Sequence, residues 1–321
     1  MRRRHFLLVL AAAAAAPAAR AQQYPSKPIN WVVGFPPGGG ADGVTRLVSA
    51  KVSQNLGQPI VVENRPGASS IIAAQYVAQQ PADGYTLFSA EQGALVFNAA
   101  LYAKLPYDPQ RDFTPVCDMI RAPLVLVVNP TFPATDLQSF ITEAKRQPGK
   151  LNFGSPGRGL AHHLAMEALK RRVGLDIVDV QYKGIAPVVQ DTIAGQISIA
   201  VIDTVVLLPH LRSGRLRAIA AFANKRLSVL PDVPALGELG YEGMDIAPIV
   251  GVVAPRNTPP EIVKRLNSEI VRAVRDPEVS GKLTGLGLEI IADTPEQFAS
   301  FLQSEASRWL PFIRSLDIKL D

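Results

Sequence analysis

The stretch INWVVGFPPGGGADG, residues 29–43, decides the fold class. Its first five residues form an apolar run that predicts a buried β-strand, and its glycines lead into a helical pattern over residues 42–55. Further strands are predicted at residues 60–62 and 85–88, with a helix at residues 69–80 between them. Because these apolar runs are continuous and alternate with helices, they predict a parallel sheet covered by helices on both faces.

The same order of elements begins again in the middle of the chain. Further apolar runs predict strands at residues 124–128, 151–153, 177–182, 197–202, 216–222 and 246–253. Helical patterns lie at residues 136–147, 159–172, 187–194, 259–275 and 295–316. We therefore predict an α/β protein with two lobes, of which residues 22–123 and 246–321 form the first and residues 124–245 the second.

A cleft is expected between the two lobes. The chain should cross from one lobe to the other at residues 124–128 and return at residues 249–253, and two crossings form a hinge. In open parallel sheets, ligands bind beyond the carboxyl ends of the strands. The loops that join strands to helices should therefore line this cleft.

The first such loop supplies one group of candidate ligand-binding residues, which are Phe35, Gly38, Gly39, Gly40 and Ala41. Glycines let a ligand approach the backbone, and the N–H groups at a helix N-terminus favour an anion. We interpret Asp42 as the N-cap of the following helix and not as a catalytic acid.

The same loop leaves a second function open. Gly38, Gly40 and Gly43 have the spacing of a dinucleotide-binding loop, and Glu63 ends the next strand, where an acidic residue would contact a ribose. Against this, the prolines at residues 36–37 stretch the tight turn that the first glycine should make. These three glycines and Glu63 nevertheless leave an alternative to a ligand-binding protein, which is an exported dinucleotide-dependent oxidoreductase.

The second lobe repeats this arrangement with the loop at residues 153–159. Its backbone N–H groups and Ser155 could hold a carboxylate, and Arg158 could pair with it. The pattern of a serine-hydrolase nucleophile, G-x-S-x-G, is absent. The candidate ligand-binding residues of this lobe are Ser155, Gly157, Arg158, Gly159, Leu160, Ala161, His163 and Asp203.

The histidines do not predict a metal site. His162 and His163 are adjacent on a helix, so their side chains diverge by about 100° and cannot share a metal ion. His210 has no second ligand at metal spacing. We expect one histidine of the pair to face the cleft and the other to face solvent, and the equal alternative for either is a histidine bonded to backbone. Asp203 follows a strand and is expected to line the cleft, to cap the next helix, or to do both.

The N-terminus is typical of an export signal. Residues 1–21 combine a basic start, an apolar run too short to span a bilayer and a small-residue cleavage site after Ala21. These residues hold four of the 33 basic residues and none of the 28 acidic ones, so the remainder carries a net charge of about +1.

No basic stripe with interleaved aromatics is present, so we expect no nucleic-acid partner. The single cysteine, Cys117, excludes an intrachain disulfide, and no later segment is long and apolar enough to insert the mature chain in a membrane.

Eleven short motifs, in order, resemble the Bug family, the substrate-binding proteins of tripartite tricarboxylate transporters. They include residues 35–39 (FPPGG), 63–68 (ENRPGA), 82–87 (ADGYTL), 105–108 (LPYD) and 213–218 (SGRLRA). The resemblance runs from about residue 24 to residue 316. It implies a type II periplasmic-binding-protein fold with a hinge of two crossing strands, and it implies no enzymatic activity and no cofactor.

The resemblance also implies how a ligand is held. The first glycine loop should contact it through water, and backbone N–H and small hydroxyl groups of the second loop should hold its carboxylate. Family members usually carry Ser or Thr after the glycine that corresponds to Gly159, but this chain has Leu160 and Ala161 there. We therefore expect a small organic carboxylate that is aromatic or otherwise partly apolar. A monomeric periplasmic protein that delivers this ligand to a membrane permease is the implied function.

Overall fold

Two β-sheets form the framework of the molecule. The computed structural model describes residues 24–320, apart from the side chain of Ala68; the expected leader and its cleavage after Ala21 lie outside these residues. The strands in this part of the chain, in order, are β1 (Ile29–Val33), β2 (Ile60–Asn64), β3 (Thr86–Ala90), β4 (Phe113–Arg121), β5 (Leu124–Val128), β6 (Asn152–Ser155), β7 (Val178–Gln181), β8 (Ile199–Asp203), β9 (Arg217–Ala221), β10 (Ile249–Pro255) and β11 (Glu289–Ile290).

Helices cover both sheets. In chain order they are α1 (Gly40–Leu56), α2 (Ile71–Ala78), α3 (Asn98–Leu101), α4 (Leu137–Arg146), α5 (Ala161–Val173), α6 (Ile185–Ile193), α7 (Thr204–Arg212), α8 (Pro260–Val274), α9 (Pro277–Gly285) and α10 (Pro295–Ser315). A short 3-10 turn, Ala68–Ser70, precedes α2, and a π-helical turn, Gly93–Phe97, precedes α3. Among the described residues, no helix is long and apolar enough to cross a membrane.

The first sheet has the strand order β11-β4-β10-β3-β1-β2. Strand β1 pairs in parallel with β2 and with β3, as the continuous apolar runs predict. The returning strand β10 is antiparallel to both β3 and β4. Strands β4 and β11 and helix α9 were not among the predicted elements, so this half of the sheet is a correction to the sequence-based expectation.

The second sheet has the order β7-β6-β8-β5-β9. Strand β6 is parallel to β7 and β8, whereas β5 is antiparallel to β8 and β9. Each sheet thus combines a parallel α/β half with antiparallel strands beside the hinge. The carboxyl ends of the parallel strands in the two sheets open toward one another, and this positions a cavity between the lobes.

The hinge consists of two chain segments that run side by side. The chain leaves the first sheet after β4 and enters the second at β5, and it returns just before β10. The Ala122 N–H donates to the Pro248 carbonyl at 2.8 Å, which ties the two crossings together. Buried Gln92 adds two bonds: its side-chain amide donates to Ala247 O at 2.8 Å and accepts from Ile249 N at 3.2 Å.

Apolar burial holds the first lobe together on both faces of its sheet. On one face, Trp31 and its neighbours in β1 pack with α1 and α8 in a continuous core. On the other face, Phe298 of α10 packs so closely on β10 that a Cβ at Gly251 would lie 2.3 Å from its ring. This close approach explains a glycine in the middle of a buried strand.

Candidate functional site

A cavity of about 770 Å³ lies between the two lobes. Residues that follow β1 and β3 line it from the first lobe, and residues that follow β6 and β8 line it from the second. The hinge contributes Ala122 and Ile249 to its wall. The structure thus places the cavity where the strand-end rule predicts a ligand site.

The first glycine loop lies at the cavity as predicted. Its five candidate residues, Phe35, Gly38, Gly39, Gly40 and Ala41, all line the wall. Helix α1 begins at Gly40, and no side chain caps its N-terminus. The loop therefore presents backbone and little side chain to a ligand, as its composition predicts.

The predicted role of Asp42 as an N-cap is wrong. Asp42 lies inside the first turn, and its carboxylate accepts from Gly38 N at 2.9 Å and from Arg46 Nε at 3.0 Å. Burial alone would raise the pKa of Asp42, but the bonds from Arg46, Gly38 and Asn64 outweigh it and lower this pKa below its ordinary value. A fixed carboxylate of the protein thus satisfies the Gly38 N–H, and Arg46 pairs with its charge.

The same geometry argues against a dinucleotide. At the N-terminus of α1, the Gly38 N–H is already bonded to Asp42 and is therefore not free to bind a pyrophosphate. Glu63 is not at the cavity; it pairs with Arg65 at 2.6 Å and accepts from Asn30 Nδ2 at 2.7 Å. The glycine spacing of a dinucleotide-binding loop is therefore present, but the acidic residue that would contact a ribose is not at the cavity.

Only some of the candidate ligand-binding residues of the second loop line the cavity. Arg158, Gly159, Leu160 and Ala161 line the wall, whereas Ser155 and Gly157 do not. Ser155 is fully buried and donates its hydroxyl to the Gly157 carbonyl at 3.2 Å. Its hydroxyl is bonded within the loop, and Ser155 does not line the cavity.

The N-terminus of α5 is the main anion-binding feature of the second lobe. Leu160 occupies the N-cap position, and no side chain caps the helix. The first N–H groups of a helix have no acceptor within it, and the helix dipole adds positive potential there. Arg158 is exposed beside this end and forms no ion pair or hydrogen bond among the described residues. A carboxylate in the cavity would meet both donors.

The two histidines separate, but the cavity-facing residue is His162 and not His163. His162 lines the wall, and its Nε2 lies 3.5 Å from Asp203 Oδ2. His163 is buried in the second lobe, where its Nε2 lies 3.3 Å from Asp179 Oδ2 and its Nδ1 accepts from Gly159 N at 3.3 Å. His163 does not line the cavity, and the expectation that the second histidine faces solvent is wrong, because α5 begins at Ala161 and this phase turns His163 inward. Within residues 24–320, no three His, Cys, Asp or Glu side chains could hold a metal ion.

Asp203 serves both roles that its position suggests. It caps α7 by accepting from Val206 N at 3.2 Å, and it lines the cavity. Burial would raise the pKa of Asp203, but the hydrogen bond and the charge of His162 outweigh burial and lower this pKa. Asp203 is therefore an ionised carboxylate at the cavity wall.

Glu91 is a cavity residue that sequence reasoning missed. It directly follows β3 and lines the wall from the first lobe. Burial, aided by the negative charge of Asp203, raises the pKa of Glu91 to about 7. The strand-end rule could have identified it, because β3 was a predicted strand of the parallel set.

Two serines in the first lobe were also missed. Ser69 and Ser70 line the cavity and both have left-handed backbones, with φ of 51° and 65°. Such angles are uncommon for residues other than glycine, and they cluster at functional sites. Ser70 donates its hydroxyl to the Gly34 carbonyl at 3.2 Å, which ties this turn to the first glycine loop.

The lobes meet on both sides of the cavity. Gly159, with φ of +79°, lies so close to Leu101 of the first lobe that a Cβ would be 2.6 Å from a leucine methyl carbon. On the other side, the Thr204 hydroxyl donates to the Gly287 carbonyl at 2.6 Å. Much of the remaining wall is aliphatic and includes Leu160, Val205, Ile249 and Leu286.

The chain is similar to known proteins over most of its length. The model of the tripartite tricarboxylate transporter family receptor, TctC, matches residues 44–318. A UPF0065 protein from the tcbD-tcbE intergenic region of Pseudomonas sp. strain P51 is 37% identical over 92% of this chain and 88% of its own length. The protein BugT of Bordetella pertussis is 35% identical over 94% of this chain and 92% of its own length.

Solved structures with the same architecture are similar over almost their full length. Rpa4515 of R. palustris with adipate has a TM-score of 0.80 and 34% identity, and the match covers 91% of this chain and 98% of that one. MatC from Rhodopseudomonas palustris with bound malate has a TM-score of 0.77 and 34% identity, covering 90% and 100%. The periplasmic binding protein BugD has a TM-score of 0.77 and 28% identity, covering 92% and 100%.

Proposed function

Because this chain belongs to the tripartite tricarboxylate transporter receptor family, we propose that it captures a small organic carboxylate between its lobes and delivers it to a membrane permease. Like the members and structural neighbours that it matches, it is a solute-binding receptor and not an enzyme. We place it in the periplasm, where receptors of this family work. The observation that carries the proposal is the uncapped N-terminus of α5 beside Arg158 at the cavity wall.

We infer the position of the carboxylate from the donors that each lobe leaves free. In the first-lobe loop, Asp42 already accepts the Gly38 N–H and pairs with Arg46, whereas the second-lobe loop offers a helix N-terminus and an unpaired guanidinium. Anions are favoured where backbone N–H groups and a cation converge. The ligand carboxylate should therefore bind at residues 158–161, with the first glycine loop closing over the rest of the molecule.

The apolar part of the ligand is inferred from what surrounds this anion site. Leu160 and Ala161 stand where related receptors usually carry hydroxyl groups, and Leu286 and Ile249 extend the aliphatic surface. Apolar surface of this kind favours a ligand that buries carbon and offers few partners to extra polar groups. Adipate and malate in the neighbouring structures are both carboxylates, and for this chain we propose an aromatic or otherwise partly apolar acid.

A thermal-shift screen tests the proposal. Carboxylates at 100 times their dissociation constant should stabilise the protein by about 2.7 kcal/mol and raise its melting temperature by several degrees. The matched control is the neutral amide of each acid, which keeps the carbon skeleton and removes the charge. A shift with NAD(P) and none with any carboxylate would refute the proposal.

A further inference from the structure

The loop that leads into α5 has acceptors for its own N–H groups. The Gly159 N–H donates to His163 Nδ1 at 3.3 Å, and the Leu160 N–H donates to the Gly157 carbonyl at 3.3 Å. The first N–H groups of the helix itself, which begins at Ala161, have no acceptor within the helix. The helix therefore supplies the donors that a carboxylate would bind, and the loop before it determines where these donors lie.

The position of His163 is defined by the second sheet. Its side chain is buried, and its ring is stacked at 18° to the ring of Phe153 in β6, with the ring centroids 6.4 Å apart. Its Nε2 lies 3.3 Å from Asp179 Oδ2 in β7. Because β6 and β7 pair with Phe153 opposite Asp179, the sheet holds both groups at the imidazole. The ring thus has little freedom to turn away from the loop.

The hydrogen bond from Gly159 also determines the tautomer of His163. Nδ1 can accept this bond only when it carries no proton, so the proton of the neutral ring lies on Nε2. That nitrogen faces the carboxylate of Asp179, to which Gln181 Nε2 also donates. A carboxylate at one ring nitrogen favours the proton there and leaves the other nitrogen as an acceptor. Asp179 therefore favours the tautomer that the loop requires.

Gly159 is the residue of the loop where a small displacement has the largest effect. It is buried and has a left-handed backbone, with φ of +79°. A Cβ there would lie 2.6 Å from a methyl carbon of Leu101 in the first lobe. Its neighbours Arg158 and Leu160 both line the cavity. The bond to His163 thus holds a residue that contacts the other lobe and lies between two wall residues.

We propose that His163 is a positioning residue for ligand capture: it does not line the cavity, but it holds the Gly159 N–H and so keeps residues 157–161 in the conformation that directs the N–H groups of α5 at a carboxylate. This inference rests on the proposed function, because it takes the ligand carboxylate to bind at residues 158–161. Donors that are already in place cost little ordering when the ligand binds. Asp179 supports the same arrangement through the tautomer.

Two substitutions separate this role from filling of the core. In His163→Leu, the new side chain fills much of the same space but offers no acceptor, so the buried Gly159 N–H loses its partner and the loop must move. In His163→Asn, the amide oxygen is attached to Cγ as Nδ1 is, and it can accept the same bond. Calorimetry with adipate and with 3-phenylpropanoate measures the effect. For the acid that binds the wild type more tightly, His163→Leu should weaken binding about tenfold or more, and His163→Asn should stay within about threefold.

Leu169→Ala is the matched control for lost stability. Leu169 is a fully buried residue of the same helix, and it does not line the cavity. Its truncation should lower the free energy of unfolding, because it removes buried methyl groups. The dissociation constant should nevertheless remain that of the wild type, since the loop and its bond to His163 are intact.

Nuclear magnetic resonance tests the bond without any ligand. The imidazole ¹⁵N shifts of His163 in the wild type should show the proton on Nε2 and an unprotonated Nδ1. Hydrogen exchange of the Gly159 amide should be slow in the wild type and in His163→Asn, and faster in His163→Leu.

Four outcomes contradict the inference. A proton on Nδ1 in the wild type would exclude the bond, and unchanged or tighter binding by His163→Leu would show that the bond does not support capture. If His163→Asn loses as much affinity as His163→Leu, the acceptor is not what matters. If Leu169→Ala loses as much, stability explains the effect. In all four cases carboxylate binding stands, whereas a wild type that binds neither acid contradicts the proposed function and the inference with it.

Discussion

Replacing Gly159 with alanine should weaken ligand binding through a contact between the lobes and not through a lost ligand contact. Gly159 lies in the second-lobe loop, and a Cβ there would be 2.6 and 2.9 Å from the two methyl carbons of Leu101 in the first lobe. Carbon atoms in contact normally lie about 3.5–4.0 Å apart. Either Leu101 must shift by about 1 Å, in a place where it is 2% exposed, or the lobes must stay apart.

The substitution Gly159→Ala costs free energy in two ways. Gly159 has φ of +79°, so any alanine there costs about 1 kcal/mol whether the lobes are open or closed. The overpacking against Leu101 costs about 1–3 kcal/mol, but only when the lobes meet. We expect ligand binding to select the closed state, so only the second part should enter the affinity, and the dissociation constant should rise about 5- to 150-fold.

A matched control isolates the clash. Gly174 also has a left-handed backbone, with φ of +68°, but nothing lies within 4 Å of a Cβ built there. Gly174→Ala should therefore lose about 1 kcal/mol of stability in denaturant unfolding and keep its affinity in calorimetry. Adding Leu101→Ala to Gly159→Ala should restore much of the binding. Equal dissociation constants for the two glycine variants, or no rescue by Leu101→Ala, would refute the reasoning.

Three further outcomes are expected. Arg158 is exposed, so Arg158→Ala should cost under about 1 kcal/mol of calorimetric binding free energy, and a loss of 2–5 kcal/mol would show a desolvated clamp. Leu160→Ser should shift the ratio of affinities toward polar dicarboxylates relative to aromatic acids, and an unchanged ratio would contradict its place in the ligand contact. Glu91 retains its proton up to about pH 7 in the folded protein but only to about 4.5 when unfolded, so stability falls as the pH rises through this window. Glu91→Gln should abolish this loss, which is up to about 3 kcal/mol of unfolding free energy between pH 5 and pH 8. Denaturation at both pH values measures it, and an equal loss in the wild type and in Glu91→Gln would contradict the prediction.

The fold was accessible from the sequence wherever apolar runs were uninterrupted. Strands β1 and β3 are such runs, and their parallel pairing and the helices between them are confirmed. Strand β4 was missed because Phe113–Arg121 contains Pro115 and Asp118, which argue against a buried strand. It is a strand because β10 and β11 pair with it on both sides, and long-range pairing of this kind has no local sequence pattern.

The sequence predicted the site correctly only where backbone geometry determines which residues line the cavity. Glycine loops beyond strand ends can be recognised from composition, and the first loop lines the cavity as predicted. Side-chain roles depend on finer geometry. Asp42 was misassigned because a carboxylate near a helix start can cap it or turn back onto the loop, as it does toward Gly38. The choice between His162 and His163 required the phase of α5, which a shift of one residue reverses.

Glu91 shows why the properties of polar cavity residues are the hardest part to infer. The strand-end rule marks its position, but its raised pKa depends on burial and on Asp203, 112 positions away in the chain and in the other lobe. The negative charge of Asp203 disfavours the ionised form of Glu91, so the protonation of a residue in one lobe depends on a residue in the other. No local sequence pattern records a dependence of this kind, and it becomes visible only when the fold brings the two strand ends to one cavity.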